Sequence, residues 1–172
     1  MKILTNVQEK TVKKIRILGI DPGYAIVGFG VLDYDGIRFT PVEYGAVLTE
    51  AGTPFPERLR AIHEDIEFIF DKFSPDCMAV ERLYFTTNQK TAIDVAQARG
   101  ITVLSAAMRK VPVSEYTPLQ VKQSVVGYGK AEKKQVMEMT KQLLGLAQIP
   151  KPDDAADALA IAICHGHSVR WN

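Results

Sequence analysis

The stretch IRILGID, from Ile15 to Asp21, carries apolar side chains on both alternating faces, Ile15 and Ile17 on one and Leu18 and Ile20 on the other. A strand of this kind cannot leave either face in water. It must be a central strand with a layer packed on each side. Asp21-Pro22-Gly23 then turns the chain, and Ile26 to Tyr34 reads as a second strand. Asp35-Gly36 is a strong hairpin signal, with Ile37 to Thr40 beginning the partner strand. Three consecutive strands joined by short turns form an antiparallel meander.

Beyond it the apolar period changes. Leu59, Ile62, Ile66, Ile69 and Phe73 recur at helical spacing until Ser74-Pro75 stops the helix. Cys77 to Val80 is a short apolar strand that, like the first, ends in an acid, Glu81. A second helix follows, with Ala92, Ala96, Gly100, Val103 and Ala107 on one stripe. Val111 to Tyr116 is expected to be the last strand. Thr117-Pro118 opens a short helix, GYGKAEKKQ makes a basic turn into another, and the final helix starts at Pro152 or Asp153 and carries DAADALAIAICHGH. A meander followed by strands alternating with helices predicts an α/β fold, a mixed five-stranded sheet with helices on both faces. Parallel neighbours in such a sheet end on a common edge, the usual place for a site.

The chain of 172 residues suits one domain, expected over 15–168, between an N-terminal arm (1–14) and a C-terminal tail (169–172). The opening MKILTNVQEKTVKK is polar and basic, unlike a secretory signal, and is expected to be a disordered arm. No apolar run approaches the ~20 residues of a membrane span. Cys77 and Cys164 lie in apolar segments without metal-type spacing, as reduced core thiols of a cytoplasmic protein would.

A net charge of +1 argues against a generic polyanion binder. The distribution is uneven, however. Residues 32–81 hold eleven acids against four bases, and residues 109–151 hold eight bases against three acids. Either these are two ordinary solvated faces, or a basic surface for phosphates adjoins an acidic pocket.

Four carboxylates stand out. Asp21 and Glu81 end strands, and Asp154 and Asp157 share a face of the last helix at i and i+3. Singly, each has an ordinary explanation: a turn, a surface ion pair, or compensation of a helix dipole. Together they are harder to dismiss, because AADALAIAI surrounds Asp157 with small apolar residues that pack on the sheet. Carboxylates aimed at one place from three elements repel unless a cation neutralises them. Mg²⁺ suits a few carboxylates plus water and a substrate phosphate, and two ions ~3.5–4 Å apart can activate water and stabilise the leaving oxygen of a phosphodiester.

LGIDPG, AVER followed by aromatics, QARG, VKQSVVGYGKAEK and DAADALAIAICH, in this order between Lys14 and His167, closely resemble the RuvC family of Holliday-junction resolvases. The resemblance implies an RNase H-like fold and a homodimer that cuts four-way DNA junctions by paired, symmetric incisions in recombination and repair. It also implies Mg²⁺ dependence, with Mn²⁺ as an alternative, and partnership with the RuvA–RuvB branch-migration complex. By motif match the catalytic and metal-holding carboxylates are Asp21, Glu81, Asp154 and Asp157. The sequence departs from the family pattern in the residues preceding the first strand.

Leu83-Tyr84-Phe85 follows Glu81. These large side chains are either core or a wedge on which an unstacked base rests; the resemblance favours the wedge, with Tyr84 at the matching position and Phe85 as neighbour or substitute. Lys122, Lys130, Lys133 and Lys134 are either a solvated surface or phosphate contacts beside Gly127 and Gly129. Lys122 and Lys133 match the family's DNA-binding positions, and Lys130 and Lys134 join them by proximity. The small-residue stripe Ala92, Ala96, Gly100 packs either on a helix of the same chain or on its own copy across a two-fold axis, as the resemblance implies. His165 and His167 fit a structural or dipole-related role.

Three function classes compete: a junction endonuclease, a nucleotide-binding ATPase and a non-catalytic DNA-structure binder. GIDPGYAIVGFGV resembles the phosphate-binding hairpin of actin-like and Hsp70-like ATPases, but those need two such domains, and no P-loop is present. A pure binder gains nothing from four carboxylates near phosphates. The nuclease is favoured.

Overall fold

A computed structural model describes residues 14–83 and 89–169. Five strands, β1 (Ile15–Asp21), β2 (Ile26–Tyr34), β3 (Phe39–Leu48), β4 (Cys77–Glu81) and β5 (Val113–Tyr116), form one sheet in the order β3-β2-β1-β4-β5. The β3–β2 and β2–β1 pairs are antiparallel; β1–β4 and β4–β5 are parallel. Helices α1 (Phe55–Phe73) and α2 (Gln89–Met108) cover one face. The other carries α3 (Pro118–Val126), α4 (Lys133–Leu143) and α5 (Asp153–Ser168).

The doubly apolar first strand is central, as its pattern requires. Leu18 and Ile20 pack with Ile62, Ile66, Met78 and Val80 on the α1–α2 side. Ile17 packs with Ala79, Leu159 and Ile163 on the α5 side. This parity matters for the site: side chains alternate along a strand, so Asp21 on β1 and Glu81 on β4, like Ile17 and Ala79, belong to the α5 face.

Two expectations need correction. First, β3 starts at Phe39, because the Asp35 carboxylate accepts the N–H groups of Ile37 and Arg38 at 2.9 and 2.7 Å and makes a longer turn than a two-residue hairpin. Ile37 is 85% exposed in that turn. Second, β5 starts at Val113 and not at Val111. Lys110 adopts a left-handed φ of 59°, and the Val111 N–H still closes the end of α2 on the Ala106 carbonyl. The buried face of α2 is Ala98, Thr102, Ser105 and Ala106. The polar members are satisfied there, Thr102 Oγ1 by the Ala98 carbonyl and Ser105 Oγ by His63 Nδ1 on α1. Ala96, Gly100 and Ala107 are exposed, and Ala92 is half-buried.

Cys77 and Cys164 are free thiols. Burial pushes them up to about 12 and about 11, which leaves both as unreactive packing residues. Among the described residues no helix is long and apolar enough to cross a membrane.

Candidate active site

At the carboxyl ends of β1 and β4 a cavity of about 170 Å³ opens between the sheet, α3, α4 and α5. Asp21, Glu81 and Asp157 supply its acids, Lys122 and Lys133 its bases, and Val121, Val136 and Ile161 its apolar walls. Asp154, one turn before Asp157, adds its charge to the field at Asp21.

What draws α5 so close to the strand ends is the absence of side chains beneath it. A Cβ on Gly19 would fall 2.1 Å from the Ala158 carbonyl oxygen, and one on Gly28 equally close to that of Asp154. On Gly30 it would strike the Leu159 side chain at 2.7 Å. Ala155, Ala158 and Ala162 keep the helix thin on its side of the contact and are fully buried. Strand glycines signal such close backbone approach, and GFG in β2 was the clue in the sequence.

The electrostatics follow from this crowding. Burial, then Glu81, Asp157 and Asp154, push the Asp21 carboxyl up to about 8, against the pull of Lys133. Glu81 is raised by burial and by Asp157. Asp157 is also raised by burial, although Lys133 opposes this, its Nζ lying 2.7 Å from Asp157 Oδ2. That hydrogen bond in turn raises Lys133. Outside the cavity, Lys151 holds Asp153 below its ordinary value.

The donor set is all oxygen, half-buried and mutually repulsive, and fits a hard divalent cation. Among the described residues no group of three or more His, Cys, Asp or Glu side chains is disposed to hold an ion as it stands. The Lys133 ammonium supplies positive charge at Asp157.

Of the basic candidates, Lys122 and Lys133 line the cavity, whereas Lys130 and Lys134 are exposed outside its lining. Tyr84 and Phe85 lie outside the described residues. His165 is buried, its Nδ1 2.9 Å from the Tyr116 hydroxyl, and His167 Nδ1 lies 3.1 Å from Ser124 Oγ.

The family description Crossover junction endodeoxyribonuclease RuvC matches residues 17–165. The chain belongs to the RuvC family. Among its relatives, the crossover junction endodeoxyribonuclease RuvC of Brevibacillus brevis is 58% identical over 88% of this chain and 91% of that protein. That of Alkaliphilus oremlandii is 54% identical over 88% and 93%. Among solved structures, Thermus thermophilus RuvC in complex with Holliday junction substrate superposes with a TM-score of 0.85 at 35% identity, covering 90% of this chain and 94% of that one. The RNase H-like fold of the RuvC family is therefore that of this chain.

Proposed function

We infer that this chain, a nuclease, resolves four-way DNA junctions at the acidic cavity, with Asp21, Glu81, Asp154 and Asp157 as its catalytic carboxylates. The observation that carries this is the meeting of Asp21, Glu81 and Asp157 from three elements beside Lys122 and Lys133. The four carboxylates would hold Mg²⁺, two ions per site, with Mn²⁺ as an alternative. When bound, the metal supplies Lewis-acid activation of water and of the leaving oxygen.

The chain's own residues do the rest. Lys122 and Lys133 meet the phosphate that enters the cavity, and Lys133 would exchange its ion pair with Asp157 for that phosphate. Val121, Val136 and Ile161 limit water at the reacting centre. Water attacks the phosphorus and the 3′ oxygen leaves, so the nicks carry 5′-phosphate and 3′-hydroxyl ends. Tyr84 or Phe85 supports an unstacked base at the junction centre, and Lys130 and Lys134 hold more distant phosphates.

Paired cuts require two sites, and the outer face of α2 supports a homodimer. Besides Ala96 and Gly100 it exposes Ile93, Leu104 and Met108, at 64%, 54% and 68%. Such a stripe is self-complementary about a two-fold axis. The setting proposed is the cytoplasm, beside the RuvA–RuvB branch-migration complex.

A synthetic four-way junction incubated with and without Mg²⁺ tests the activity. Symmetric nicks that DNA ligase reseals are expected only with the metal. Nicks that ligase cannot close, or equal cutting in chelator, would contradict it.

A further inference from the structure

Glu81 closes β4 with sheet support on its β5 side alone, where the Arg82 N–H donates to the Tyr116 carbonyl at 2.8 Å. The β1–β4 ladder ends at the Ile20–Val80 pair, one residue earlier, and Glu81–Tyr116 is the last pair of β4 with β5. Arg99 reaches from α2 to this point. Its Nε donates to the Glu81 carbonyl at 3.1 Å, and its Nη2 donates to the Glu115 carboxylate on β5. The Arg99 side chain is 18% exposed, and its bond to the Glu81 carbonyl is partly buried, whereas its bond to Glu115 forms at the surface. A guanidinium presents its donors in a fixed plane, and tying two acceptors at once fixes their separation in a way a flexible ammonium cannot.

We propose that Arg99 is a positioning residue for the cleavage reaction: by clamping the Glu81 carbonyl against Glu115, it sets where the Glu81 carboxylate enters the acidic cavity. This rests on Glu81 being one of the metal-holding carboxylates. Arg99 itself lines no part of the cavity, so its removal acts through Glu81 and leaves the DNA-contacting lysines in place. Because Arg99 lies between Ala96 and Gly100 in sequence, the clamp also joins the helix proposed to form the dimer to a carboxylate of the site.

The test compares wild type with Arg99→Ala, Arg99→Lys and Glu115→Gln. One readout is Mn²⁺ binding to DNA-free protein, followed by the electron paramagnetic resonance signal of the free ion. The other sets single-turnover cleavage against junction affinity measured in chelator. Arg99→Ala is expected to weaken Mn²⁺ binding by about fivefold or more and to slow cleavage about 10–100-fold, the scale of a small misplacement of a reacting group. Junction affinity should stay within about twofold, since no phosphate contact is lost. Glu115→Gln should shift both metal readouts less and in the same direction, and Arg99→Lys should recover part of the loss.

If Arg99→Ala fails to fold, Arg99→Lys and Glu115→Gln carry the comparison. Unchanged Mn²⁺ affinity in the folded variants would overturn the proposal, and so would a loss of junction affinity as large as the loss of cleavage. A wild type that neither binds Mn²⁺ nor cuts would instead overturn the site assignment on which the proposal rests.

Discussion

At Asp21, burial and three neighbouring carboxylates hold the group at about 8, far above its ordinary 3.8. A raised carboxyl favours folding while it stays protonated. Its contribution is fully present below about 3.8 and is lost as pH rises through about 8. In metal-free protein at neutral pH, Asp21→Asn should therefore stabilise the fold, by on the order of 1–4 kcal/mol. This amounts to a rise in Tm of several degrees for a chain of this size. Melting both proteins in chelator from pH 4 to 9 checks the sign: the advantage should grow with pH and vanish at the acid end. His165 has the opposite sense. Burial lowers it from 6.5, so its share of stability is present above that value and falls away as pH drops below it. Lys122 and Lys133 are tested by salt. Replacing either with Ala should weaken junction binding and reduce the log–log salt slope by about one. An unchanged slope would make them ordinary solvated lysines.

Helix α5 is the element that assembles the site, and its seat depends on the strand glycines. A Cβ on Gly28 would lie 2.1 Å from the Asp154 carbonyl oxygen, so Gly28→Ala must lift the first turn of α5 and carry Asp154 away. The expected cost is about 1–3 kcal/mol of overpacking, together with cleavage reduced more than junction binding; melting and single-turnover assays measure the two. A variant equal to wild type in both would show that the helix has room to spare. The acids themselves were legible in the sequence, because strand ends and an i, i+3 pair are local patterns, and so was the central strand. The inner face of α2 was not. Apolar residues occur all round that helix, and the side it buries holds Thr102 and Ser105, whose hydroxyls find partners that only tertiary contact supplies. The reach of Arg99 to the Glu81 carbonyl was hidden for the same reason, since a side chain to backbone bond between elements leaves no periodic trace.

In the whole molecule, acids and bases separate along the chain while net charge stays at +1. Affinity for DNA must therefore come from a local basic surface set beside the acidic cavity. The exposed stripe of α2 is the proposed route to a second site. Because Ala96 is exposed in the single chain, Ala96→Glu should leave circular dichroism unchanged. It should also convert a sedimenting dimer to a monomer that seldom makes paired cuts. A wild type that sediments as a monomer at micromolar concentration would exclude this interface. The division of labour proposed for the molecule is that the carboxylates perform the cutting while other residues hold the DNA. Its most direct test is a gel-resolved, single-turnover reaction of wild type and Asp21→Asn on an end-labelled four-way junction with Mg²⁺. Wild type should yield symmetric, ligatable nicks. Asp21→Asn should bind the junction at least as tightly, one negative charge near phosphate having been removed, and leave it uncut. Cleavage by Asp21→Asn within about tenfold of wild type, the equivalent of only about 1.4 kcal/mol in the barrier, would contradict the account.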